Sequence, residues 1–189
     1  ERWKALNLDF IVGSVHTTTG LDENPSYFCV DGPEDEFQAL IHEIHGGSFE
    51  NLSEVYFQRV AELAGLGGFS FLGHFDLIKK RNRDEAYFSE KEPWYHRHVL
   101  RALDAVEGSG IIMEVNSGAI SRGALDVVYP SPWILAEAKK RNIPVMVNAD
   151  AHRPQDIDCH FDESRELLRD VGYSEIWALL DGDWTALPI

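Results

Sequence analysis

The chain is poor in cysteine, and its two thiols, Cys29 and Cys159, stand far apart with no metal-type spacing around either. That excludes a disulfide framework and a zinc ribbon, and both are expected as reduced thiols. No apolar run approaches the roughly 20 residues that span a bilayer, and Glu1 to Phe10 lack the basic-then-apolar order of a signal sequence. A cytoplasmic address with no membrane partner is the expectation. Basic residues are scarce as well: 17 Lys and Arg stand against 32 Asp and Glu, a net charge of -15. Nucleic acid is thereby excluded as a partner, because binding a phosphate backbone needs clustered cations that release counterions. A small phosphate stays within reach, since a metal ion or a few local cations can reverse the field inside one cleft. Repeats, low-complexity tracts and long Pro/Gly/Ser linkers are absent too, so residues 1–189 read as a single domain.

What is present suits a real core, with 44% hydrophobic and 11% aromatic residues. Short apolar runs recur at Phe10 to Val15, Phe69 to Leu72, Ile111 to Val115, Val145 to Val147 and Ile176 to Leu180. Such runs fit strands covered on both faces of a parallel sheet. Helical patterns lie between them. Asn51 with Glu54 resembles a capping arrangement before Leu52, Tyr56, Val60 and Leu63, which precede Gly65. Val99 to Val106 stops at Gly108, Ser131-Pro132 opens a helix that ends near Asn142, and Asp162 caps another that ends before Gly172. The alternation predicts an α/β fold with right-handed crossovers. Five strands fall short of a closed eight-stranded barrel, which takes about 250 residues.

Parallel α/β proteins gather functional groups at the carboxyl ends of strands. His16 follows the first run, His74 the second, Glu114 and Asn116 end the third, and the fourth leads into Asn148-Ala149-Asp150-Ala151-His152. Imidazole and carboxylate are the donors that hold Zn, Mn or Fe at hydrolytic sites. Asp150 and His152 alternate, so both can face one site. His42 and His45 are spaced one residue too closely for a zincin helix and read as a polar helix face, while His96, His98 and His160 are assigned no ligand role.

The ordered segments Asp9 to His16, Gly73-His74-Phe75-Asp76-Leu77-Ile78-Lys79-Lys80, Glu114 to Gly118, Tyr129 to Leu135 and Asp150-Ala151-His152 resemble successive motifs of the histidinol-phosphatase branch of PHP proteins. The resemblance covers nearly the whole chain. It implies an incomplete version of the family's distorted (β/α)7 barrel and of its trinuclear site of divalent ions (Zn, Mn or Fe), which hydrolyses L-histidinol phosphate in histidine biosynthesis. By resemblance His16 and His74 bind one ion, Asp150 a second and His152 a third, while Arg122, and less closely Lys79, hold the substrate phosphate. The attacking group is a water activated by the ions, and no residue is assigned as the acid for the leaving oxygen. The family's upstream His-x-His, His and Glu motifs have no counterpart before His16, so the chain reads as shortened, with exposed sheet edges that invite self-association. The alternatives are a PHP phosphoesterase for another small phosphate or a nucleotide, and a non-catalytic metal-binding protein.

Overall fold

The computed structural model describes residues 6–19 and 28–189. Its centre is a four-stranded sheet in the order β1 (Val12–Gly13), β2 (Phe71–Leu72), β3 (Ile112–Asn116) and β4 (Val145–Asn148). All three pairings are parallel, with Val12 opposite Phe71, Phe71 opposite Ile112 and Asn116 opposite Asn148. Parallel neighbours require crossovers, and helices supply most of them. Every residue of β3 is buried, as a mostly apolar run that does not alternate with solvent-facing polar residues predicts for a strand covered on both faces; Glu114 within it and Asn116 at its end are buried polar groups. Among the described residues the sheet is open and no strand joins β1 to β4.

The helices begin and end on recognisable chemistry. α1 (Glu34–Ala39) runs on into a π-helical turn, Leu40–Ile44. In α2 (Phe49–Leu66) the cap is Ser48, whose Oγ accepts from the Asn51 amide at 3.2 Å. The expected cap at Asn51 is thus one turn late, because Asn51 contributes its backbone N–H instead of its side chain. α2 stops at Gly67, which takes φ 59° where a Cβ would be strained. α3 (Pro93–Val106) puts Pro93 in its first turn and buries Tyr95, Val99, Ala102, Leu103 and Val106 against Leu52, Tyr56, Phe57 and Val60 of α2. α4 (Gly118–Ser121) is a single turn, and α5 (Pro132–Lys140) starts on Ser131-Pro132 as expected. α6 (Phe161–Val171) is preceded by His160 in the left-handed region and not capped by Asp162; it ends at Gly172.

One expectation about the sheet is corrected. The run at Ile176 to Leu180 does form β5 (Glu175–Leu180), but it pairs antiparallel with β6 (Asp183–Pro188) in a separate two-stranded sheet. The cause is local: Asp181 and Gly182 both adopt positive φ, the turn that closes a two-residue hairpin. The hairpin therefore satisfies β5 within itself. The His42 to His45 segment is corrected too, since His45 is buried and its Nε2 lies 2.8 Å from Thr18 Oγ1. No described helix is long and apolar enough to cross a membrane.

Candidate functional site

The carboxyl ends of β1 to β4 open into a cleft of about 520 Å³ whose lining includes His16, His74, Asp150, His152 and Arg122. Strand register explains the convergence. Parallel strands in step end at one level, so loops distant in sequence deliver their first side chains to one place.

His16 and His74 meet there edge to face, with ring centroids 4.9 Å apart. His16 is anchored on Asp31, its Nδ1 lying 3.2 Å from Oδ1. That hydrogen bond raises the His16 pKa, over the opposing effect of burial. Burial by itself pushes Asp31 up, but the His16 hydrogen bond and charge, with Lys80 nearby, hold its carboxyl below the usual range. His74 is buried, and burial lowers its pKa against the pull of Glu114. A neutral imidazole is the form that can offer a lone pair to a ligand. Its Nδ1 is buried and has no hydrogen-bond partner among the described residues.

On the other side of the cleft Asp150 and His152 flank Arg122. The guanidinium Nη1 donates to the Asp150 carbonyl at 2.8 Å and lies 3.1 Å from His152 Nδ1, while Nη2 donates to Asp150 Oδ2 at 3.1 Å. Gly118 makes room for this fork, because a Cβ there would meet both terminal nitrogens at 2.7 Å. His74 and Asp150 both take positive φ, at 23° and 47°. Non-glycine residues in that region carry strain of order 1–3 kcal/mol and are concentrated at functional sites.

Lys79 is placed elsewhere. It is 1% exposed, and its ammonium donates to Asp76 Oδ2 at 3.0 Å, the Val128 carbonyl at 3.1 Å and the Ser131 hydroxyl. With all three donors spent inside the protein, it has none for a phosphate, which corrects its expected role. Its neighbour Lys80 lines the cleft and donates to the Asp31 carbonyl at 2.9 Å. The short 3-10 turn at Leu77–Lys79 turns consecutive side chains to different sides, so the pair Lys79-Lys80 is split between core and cleft. Asp31, Lys80, Glu114, Asn116 and Asn148 complete the polar lining. Of these, Asp31 carried no motif of its own in the sequence. His96 stacks on Trp133 and His98 meets Ser53 on α2, both in α3.

The four expected metal donors share this cleft but do not form a ready cage. Among the described residues no group of three or more His, Cys, Asp or Glu side chains is gathered closely enough to hold an ion. The His16–His74 pair, with its buried and unpartnered Nδ1, is the part of the cleft whose donor chemistry fits a divalent cation.

Fold and cleft together define a parallel α/β protein with imidazole, carboxylate and guanidinium groups at its strand ends. Comparison with known proteins finds particular relatives. Over 164 residues the chain is 29% identical to a Deinococcus radiodurans protein named "Probable histidinol-phosphatase", covering 87% of this chain and 55% of that one. Over 159 residues it is 29% identical to the histidinol-phosphatase of Bacillus subtilis, covering 79% and 55%. The crystal structure of hisK from Listeria monocytogenes, a candidate histidinol phosphatase, superposes with a TM-score of 0.66 at 20% identity, over 80% of this chain and 56% of that one. No family model matches. The relatives support the resemblance to the histidinol-phosphatase type, and the chain spans about half the length of the curated relatives it matches.

Proposed function

We propose that this chain carries the substrate-phosphate side and part of the metal side of a histidinol-phosphatase-type phosphomonoester hydrolase, built on part of a PHP-type barrel, with L-histidinol phosphate as substrate. The observation that carries the reading is the pairing, in one cleft, of a buried unpartnered imidazole nitrogen on His74 beside His16 with a guanidinium fork on Arg122. His16 and His74 would hold one divalent ion (Zn, Mn or Fe), and Asp150 and His152 would contribute to others. Such ions supply Lewis acidity toward water and toward phosphoryl oxygens.

The chain's own groups do the rest. Asp150 and His152 engage Nη1 and one N–H of Nη2, but the Nε–H and the second Nη2–H of Arg122 have no partner among the described residues. This adjacent pair suits a phosphate in a way that a lysine point charge does not reproduce. Asp150 holds that fork over Gly118 and so fixes where a phosphate would dock. Lys80 adds a cation on the opposite wall, attached to the loop of Asp31. In a protein of net charge -15 these local cations must outweigh a repulsive long-range field, which salt screens beyond about 10 Å. The exposed edge of the sheet at β1, where Phe10 and Val12 are open, is a surface for self-association.

The test is Mn²⁺ and Zn²⁺ uptake by calorimetry, followed by phosphate release from L-histidinol phosphate by the metal-loaded protein. Arg122→Ala should weaken phosphate binding or turnover about ten- to a hundredfold, the loss of one charge-assisted contact of roughly 1.5–3 kcal/mol. Uptake of metal with no effect of Arg122→Ala would remove the arginine from the site. Absence of metal uptake would remove His16 and His74.

A further inference from the structure

Glu114 has no part in the chemistry just described, yet it is 3% exposed at the floor of the cleft and its carboxylate is fully engaged. Oε2 accepts from the His74 backbone N–H at 2.7 Å and from Asn116 Nδ2 at 2.9 Å, and Oε1 accepts from Asn148 Nδ2 at 2.7 Å. Each partner leads into a different loop. Asn116 Oδ1 accepts from the Gly118 amide at 2.9 Å, at the start of the turn that ends at Arg122. Asn148 Oδ1 accepts from the Ala149 amide at 3.0 Å, immediately before Asp150. Asn116 and Asn148 stand opposite each other in the register of β3 and β4, so one carboxylate reaches both.

We infer that Glu114 is a positioning residue that ties the His74, Arg122 and Asp150 loops into one arrangement. Only a carboxylate does this with all partners satisfied, because every group facing it is a donor. The amides of Asn116 and Asn148 must each present nitrogen to Glu114 and oxygen to a backbone N–H; the reverse orientation would set donor against donor at both ends. A buried donor left without an acceptor is costly, which is how one side chain can hold three loops, two of them beginning at strained residues.

The polarity of the network gives a specific test. Glu114→Gln keeps size and shape but turns one acceptor into a donor, so either the His74 N–H or Asn148 Nδ2 loses its partner. The double variant Glu114→Gln/Asn148→Asp reverses the pair: the amide nitrogen introduced at position 114 would donate to the new carboxylate at position 148, which still accepts from the Ala149 N–H. Asn148→Asp alone opposes two carboxylates and should loosen the loops as well. Amide hydrogen exchange of His74 and Ala149 and titration with Mn²⁺ are measured on the parent and all three variants, as a double-mutant cycle.

At least one of the two amides should exchange about tenfold faster in Glu114→Gln, with a similar loss of Mn²⁺ affinity, and the double variant should recover both. Two results would overturn the inference: unchanged protection of both amides in Glu114→Gln, or a double variant that recovers protection without Mn²⁺ affinity. The latter would mean that Glu114 acts on the ion and not through the loops. The Mn²⁺ arm rests on the metal reading of the cleft, whereas the amide arm does not. A parent protein that takes up no Mn²⁺ would sink the metal reading, and hydrogen exchange would still decide the role of Glu114.

Discussion

Beneath α2 and α3 the protein packs ring against ring: Phe57 meets Tyr56, Phe75 and Tyr95 at centroid distances of 5.1 to 5.6 Å, and Phe88 meets Phe49 and Tyr95 at 4.5 and 4.6 Å. At the carboxyl ends of the strands the same sheet offers the opposite: charged groups of both signs, two residues at positive φ and a buried nitrogen with no described partner. The first region releases free energy on folding through apolar burial and edge-to-face contacts. The second spends some of it, on desolvated polar groups and strain. Stability and chemistry are thus held mainly by different parts of the fold, the helix layer and the strand ends, and a substitution should disturb one with little effect on the other.

Phe57→Ala is the strongest way to test that separation. Phe57 is 1% exposed, and truncation of such a ring removes apolar burial and leaves a cavity, at roughly 3–5 kcal/mol. Denaturant unfolding should show the loss as a lower midpoint with an unchanged slope. If Phe57→Ala also altered the His74 or Asp150 loops as seen by NMR in the folded protein, the two regions would not be independent.

Lys79→Met is next, and it decides which region owns this lysine. The Asp76 side chain facing it is fully buried, and burial pushes that carboxyl up against the opposing pull of Lys79. Removing the cation strands a buried carboxylate, at about 3 kcal/mol or more near neutral pH. Asp76→Asn added to Lys79→Met should restore much of the loss, since it removes the unpaired charge. A Lys79→Met protein of full stability but weakened phosphate binding would return Lys79 to the cleft.

Lys79 also shows how far the sequence could be read. The apolar runs located β1 to β4, the positions just beyond them located His16, His74, Asp150 and His152, and the family resemblance alone added Arg122; the five line one cleft. Periodicity could do this because strands in parallel register end together. It could not separate Lys79 from Lys80, because a three-residue 3-10 turn has no repeat long enough to leave a pattern. Asp31 was hidden for a related reason: a loop acid has no periodicity, and only its approach to His16 distinguishes it. The β5–β6 hairpin differs in kind: Asp181-Gly182 is a turn signal present in the sequence, and reading Ile176 to Leu180 as another parallel strand left it unused.

The smallest expected effect is one of pH, at a histidine on the packed side of the molecule. His98 is 6% exposed on α3, with Nδ1 3.2 Å from Ser53 Oγ on α2 and its ring 6.0 Å from that of Trp94. Burial lowers its pKa; Glu54 and Glu50 pull it back up, and Arg97 and Arg101 push it further down. Because the folded pKa lies below the unfolded value near 6.5, the unfolded chain binds the proton first as pH falls. The contribution of His98 is therefore fully present above about pH 6.5 and is lost as pH falls toward the folded pKa. His45 and His74, whose pKa values burial also lowers, add slopes of the same sign. His98→Gln keeps a polar partner for Ser53 and removes the titration, so denaturant unfolding between pH 7.5 and about 5 should show a shallower loss of stability than in the parent. An identical slope in the variant would mean that His98 is as accessible to protons folded as unfolded, and that the α2–α3 side is less tightly closed around it than the cleft is around His74.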